Sequence, residues 1–210
     1  AEDFRPIPLG LGFTLQGIGG LLAINRTFDE DVLRTGLRND TLKNLLFPRN
    51  AAANAPAIVR SLETAFPARR GSYLLGLLAR ICWGTPTIIQ FDLALILELG
   101  ARQRLLALGR ITATLPKPDN DLLRLKLDAM GVLDFDAGTI ALDAVLVDSR
   151  LLHKFAITGS GALRAGWGDA PSSAFVLSVG GFNPRFAPPA GLPALERVAI
   201  ALSSGDNPRF

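Results

Sequence analysis

A chain of 210 residues that is 49% hydrophobic and 20% charged is too apolar to be disordered, and long enough to bury a core in a single domain without disulfide staples. Twenty-two Lys and Arg against 19 Asp and Glu leave +3, too thin an excess for an electrostatic footprint on nucleic acid. One Cys (Cys82) and one His (His153) exclude an internal disulfide and a Cys/His zinc cage.

The chain opens AEDFRPIP, with no basic segment ahead of an apolar run, so no signal peptide is read in it and the compartment is left open. Both ends have the texture expected of a segment of a longer protein. Between Arg5 and Arg26 an uncharged stretch is long enough to cross a bilayer as a helix. Pro6, Pro8, Gly10, Gly12, Gly17, Gly19 and Gly20 oppose that, since each Gly costs a helix about 1 kcal/mol relative to Ala. Leu9, Leu11, Phe13 and Leu15 share one parity, which predicts a buried strand followed by a Gly-rich bend, and no transmembrane helix.

Residues 27–66 change to helical spacing and are read as a helical insertion of two or three short pieces. Thr27 is placed as the cap of a first turn that carries Asp29, Glu30 and Asp31, with Val32, Leu33 and Leu37 as its apolar stripe. TLKNLLF at 41–47 is a second piece. A third follows Asn54, has Pro56 in its first turn, and is expected to bury Ile58, Val59, Leu62, Ala65 and Phe66.

From Tyr73 the period becomes two, predicting an antiparallel sheet over 73–204 with strands near 73–83, 87–99, 103–115, 121–135, 139–149, 152–165, 173–182 and 195–203. In LRLKLD, Leu123, Leu125 and Leu127 point one way while Arg124, Lys126 and Asp128 point the other. Leu93, Leu95 and Leu97 repeat this opposite Asp92 and Glu98, as do Ile140, Leu142 and Leu146 opposite Asp143. Such alternation is read as one wet, charged face and one apolar face that must be covered. Turn residues at 117–120, 136–138 and 167–172 make sequential strands antiparallel neighbours. The fold class is therefore α+β, mainly β: a long antiparallel meander of about eight strands with a short helical insertion. A twelve-residue strand reaches about 40 Å, so short helices alone cannot shield such a sheet. Curling into a half-barrel, lipid, or other protein would supply the remainder. Trp83-Gly84 and Trp167-Gly168 echo one another as hairpin corners, with Trp expected to cap the core.

Motifs that carry chemistry are incomplete. Gly10-Leu-Gly12 and Gly17-Ile-Gly19 lack the third glycine of a dinucleotide loop, and Gly159-Ser160-Gly161 lacks the spacing of a nucleophile elbow. A triad could use only His153, and Cys82 beside Trp83 reads as a packed thiol. Asp134-Phe-Asp136-Ala-Gly138 resembles the start of a calcium loop, but its glycine is one position early and no Glu closes it, so it reads as a β-turn. No catalytic residue, cofactor or metal is assigned, and a non-enzymatic function is expected.

The stretches GFTLQGIGGLLAINR, CWGTPT, LDFDAGTIALDAVLVDSR and LSVGGFNPRFAPPAG resemble a family of long, mostly bacterial β-rich proteins catalogued only as a domain of unknown function. That resemblance implies a segment of a larger β-rich protein and brings no catalytic residues with it. The hairpins are also similar to the groove-forming sheets of bacterial lipid-transfer proteins. The expected function is a structural or interaction module, its apolar face completed by the rest of a parent protein or by self-association. The alternative is a carrier of lipid-like ligands, with a groove lined by Leu93, Leu95, Leu97, Leu123, Leu125, Leu127, Ile140, Leu142 and Leu146.

Overall fold

A computed structural model describes residues 5–38, 54–118, 120–168, 175–183, 185, 187 and 191–201. The chain is mainly β, a twelve-stranded antiparallel meander that is neither closed nor strongly curled, with two short helices among the described residues. β1 (Ile7–Gly10) and β2 (Phe13–Arg26) precede α1 (Glu30–Arg38) and α2 (Ala55–Ala65). Then come β3 (Ala68–Trp83), β4 (Ile89–Gly100), β5 (Arg104–Lys117), β6 (Asn120–Asp134), β7 (Thr139–Leu146), β8 (Ser149–Leu151), β9 (Phe155–Thr158), β10 (Ser160–Gly166), β11 (Val176–Val179) and β12 (Ala199–Ile200). Sequential strands from β1 to β7 are spatial neighbours, continued by β10 and β11, while β8 pairs with β6 and β9, and β9 with β12.

The expected count of about eight strands and the sheet boundary at residue 73 are corrected in two places. The sheet begins at Ile7, because Gly17, Gly19 and Gly20 lie within β2 rather than in a bend, paired with Arg80, Leu78 and Leu77 of β3. β1 itself is exposed. The predicted strand at 152–165 is split into β9 and β10, since Leu152 and His153 take left-handed turn conformations and Gly159 bends the chain where a Cβ would meet Val198 at 2.9 Å. The predicted strand at 195–203 survives as the two residues of β12, and residues 202–204 lie outside the described ones.

In the helical insertion the cap is Asp29, not Thr27: its Oδ1 accepts the N–H groups of Asp31 and Val32, both at 3.0 Å. Leu33 is buried, whereas the Leu37 side chain and the TLKNLLF piece lie outside the described residues. α2 has Pro56 in its first turn as expected, and Ala65 with the following Phe66 are buried. Val59 is exposed and Ile58 only partly covered. Trp83 ends β3 and Trp167 follows β10, each before a glycine of left-handed φ, but both are partly exposed rather than seated in the core, and residues 169–172 of the second corner lie outside the described ones. At the first corner Gly84 has φ 94°, and a Cβ there would lie 3.0 Å from the Pro86 carbonyl oxygen.

The largest correction concerns which face is covered. The helices dock on the charged face. Phe28, Leu33, Ala65 and Phe66 form one core with Leu74, Ile96, Leu106, Leu108, Met130 and Val132, the strand side chains that alternate with the leucine set. Glu98 and Asp128, expected in water, are 0% exposed. They are tolerated there because partners of opposite sign are aligned across the strands. Register places Arg80, Asp92, Arg110 and Asp128 in one row of alternating sign. Arg80 donates to Asp92 at 2.6 Å, and Arg110 grips Asp128 with two bonds of 2.6 Å. Three rows along the same face, Arg104 donates to Glu98 at 2.7 Å and to Glu30 of α1 at 2.7 Å, while Thr27 donates its hydroxyl to Glu98 at 2.6 Å. The Arg104 guanidinium also lies 3.9 Å above the Phe28 ring. Arg34 of α1 and Arg164 of β10 both bond Asp143, at 2.9 and 2.8 Å. These bonds pin the helical insertion to the charged side of the sheet.

Candidate interaction surface

Because neighbouring side chains on a strand point to opposite faces, placing the charges under the helices leaves the leucines outside. All nine residues expected to line a groove lie on that one face, as register shows. Leu97 stands in a row with Leu75, Leu105, Leu133 and Ile140. Leu95 and Leu142 share a row with Leu77, Ala107 and Gly131. Leu93 lies level with Ala79, Gly109, Ala129 and Ala144. Leu127 and Leu146 stand with Ile81, Phe91 and Ile111, Leu125 with Ile89 and Ala113, and Leu123 with Leu115. Leu93, Leu95 and Leu142 are exposed and the other six are half-buried.

Sequence reasoning left out the part of the face that β2 and β3 supply. Leu22, Leu75 and Leu77 are among its most open residues, at 75%, 54% and 67% exposure. The same period of two runs through Tyr73, Leu75, Leu77, Ala79 and Ile81 and would have identified them. Rows from Leu75 to Ile81 across β2–β7 contain no charged side chain among the described residues. Trp83 ends β3, and its indole donates to the Leu11 carbonyl at 3.0 Å.

Within the face, small residues gather on β5 and β6. Ala107, Gly109, Ala129 and Gly131 floor a hollow of about 430 Å³ whose sides are Leu77, Leu93, Leu95 and Leu142. The arrangement is therefore an apolar plate with a ridge of leucines on β3 and β4 beside a dip on β5 and β6. It can exclude water from another apolar surface. Among the described residues that line the hollow there is no acid, base or nucleophile.

The reactive residue types lie elsewhere. Cys82 is buried on the covered side, and that burial pushes its thiol pKa up, away from thiolate chemistry. Cys82 should accordingly stay unmodified by a thiol-reactive disulfide reagent at neutral pH and react fully only after denaturation; rapid labelling of the folded chain would refute its placement. His153 is half-exposed with Nδ1 3.2 Å from an Asp121 carboxylate oxygen. In the turn at 135–138, Asp134 closes the turn by accepting the Ala137 N–H at 2.8 Å, and Asp136 ties it to the β4–β5 connection by accepting the Gln103 N–H at 2.8 Å.

A model of a family of unknown function, DUF6603, matches residues 1–210, and the chain belongs to that family. The family likeness read from the sequence is thus borne out over its whole length. No curated protein and no solved structure matches the chain.

Proposed function

We propose that this member of DUF6603 is a non-enzymatic structural or interaction module, and that the leucine face is the surface through which it joins an apolar partner. The observation that carries this reading is the spending of both helices on the opposite face, which leaves Leu22, Leu75, Leu77 and Leu95 in solvent. Monomeric proteins rarely expose contiguous apolar patches beyond about 300–600 Å², and a face several strands wide exceeds that. A surface that is apolar because it is docked in use costs nothing in the assembled state.

The double variant Leu77→Lys/Leu95→Lys tests it. If the face is presented to a partner, the isolated dilute chain should keep its far-ultraviolet circular dichroism and lose less than about 1 kcal/mol in urea unfolding. Its retention on a phenyl matrix should fall sharply. Loss of folding in the double variant would mean that the face is packed against the chain itself, and the reading would be abandoned.

A second reading rests on the hollow of about 430 Å³, whose floor of Ala and Gly beside leucine walls suits an acyl chain. Under it, organic extraction of the purified protein releases acyl lipid in stoichiometric amount.

A further inference from the structure

We propose that the occupant of the leucine face is a second copy of this chain, packed face to face about a two-fold axis that runs along the strands between β4 and β5. This rests on the docking reading above and names its partner. A two-fold axis of that kind keeps each cross-strand row at its own level and reverses its order, so β2 of one copy faces β7 of the other, β3 faces β6, and β4 faces β5. The two central rows of the face are complementary under that reversal, while the Leu75 and Ile81 rows on either side of them set large apolar side chains against one another. One central row reads Gly20, Leu77, Leu95, Ala107, Gly131, Leu142 from β2 to β7. Reversed upon itself, it sets Gly20 against Leu142, Leu77 against Gly131, and Leu95 against Ala107, a large side chain opposite a small one each time. In the next row Leu93 falls on Gly109 and Ile18 on Ala144. The leucine ridge of each copy thus enters the hollow of the other, as interdigitating sheets about 10 Å apart require.

Area and charge agree with this pairing. At about 4.8 Å per strand and about 6.7 Å per row, the six strands and four rows of overlap cover roughly 800 Å², which is the share of each partner in a stable interface of standard size. The overlapping rows hold no charged side chain among the described residues, so self-pairing meets no like-charge repulsion. Sheets aligned in this way also leave the helices of the two copies on the outside of a four-layered particle.

Sedimentation equilibrium of the 210-residue chain at micromolar concentration should give twice its 22.4 kDa mass. Gly131→Leu tests the fit, because a Cβ there meets nothing closer than 3.9 Å within its own chain and the new side chain projects into the partner's ridge. It should weaken dimerisation at least about tenfold, and Leu77→Ala should weaken it similarly. Combined, Leu77→Ala/Gly131→Leu exchanges ridge and hollow and should restore dimerisation to within about threefold of the parent. Should Gly131→Leu fail to fold, the parent mass and Leu77→Ala still decide. A monomeric parent, a dimer indifferent to these changes, additive losses in the double variant, or bound acyl chains in place of a second copy would overturn the proposal. A monomeric parent whose double-lysine variant still folds would remove the second copy as partner while leaving the docking role intact.

Discussion

Replacing Asp128 by Ala is expected to destabilise the chain by about 3–5 kcal/mol in urea unfolding, more than most single surface or core changes. Asp128 is completely buried, and both of its oxygens are taken by Arg110 at 2.6 Å. The variant leaves the Arg110 guanidinium, itself nearly buried, without the bidentate carboxylate that offsets its desolvation. The double replacement Asp128→Leu/Arg110→Met removes both charges together, and should recover most of the loss because a buried pair and an apolar pair of similar volume differ little in net stability. A small effect of Asp128→Ala alone would mean that this row faces water, as the alternation of the sequence first suggests.

Leucine truncations on the two faces should differ just as clearly. Leu106→Ala, at a position with 0% exposure among Leu74, Ile96 and Met130, is expected to cost about 2–5 kcal/mol through lost burial and a residual cavity. Leu77→Ala, at 67% exposure, should cost under about 0.5 kcal/mol when measured at a dilution where the chain is monomeric. The two leucines have the same chemistry and lie two strands apart, on β3 and β5, on opposite sides of the sheet. Equal costs would contradict the covering of the charged face alone.

The extent of β4, β5 and β6 and the partition of their side chains into two sets are legible in the sequence, because a period of two over ten or more residues has no helical reading. That period is why all nine of those residues share one face. Which set lies under the helices was not legible from periodicity, since alternation separates two faces without saying which is covered. The missing signal lay in the signs of the charges. Arg80, Asp92, Arg110 and Asp128 alternate on successive hairpin strands, and such a ladder neutralises itself when buried, whereas a solvated face has no need of matched partners. Thr27 and Asp29 are both good caps, and the choice between them is made by Glu98, seventy-one positions from Thr27, which takes the Thr27 hydroxyl.

The glycines of β2 mislead local reading for a related reason. Glycine lowers strand propensity, so Gly17, Gly19 and Gly20 look like a bend when only local preference is weighed. Their neighbours across the ladder explain them. A Cβ at Gly19 would lie 3.3 Å from the Leu78 Cβ, and the glycine makes room for that leucine on the covered face. Gly76 does the same beneath Leu21 and Ile96, where a Cβ would approach to 3.0 and 3.2 Å. On the outer face the absence of a side chain at Gly20 and Gly131 shapes the surface instead. Local preference could not foresee either use, because both are set by residues on other strands.

The placement of the helices is tested most directly by methyl nuclear Overhauser contacts from Leu33 of α1 in the folded chain. Cross-peaks to the covered set, on the strands that α1 lies against (Met130 and Val132 of β6, Val145 of β7), and none to Leu95 or Leu133, are the expected result. Cross-peaks from Leu33 to Leu95, Leu105 or Leu133 would put the helices on the leucine face and contradict every functional statement made about it.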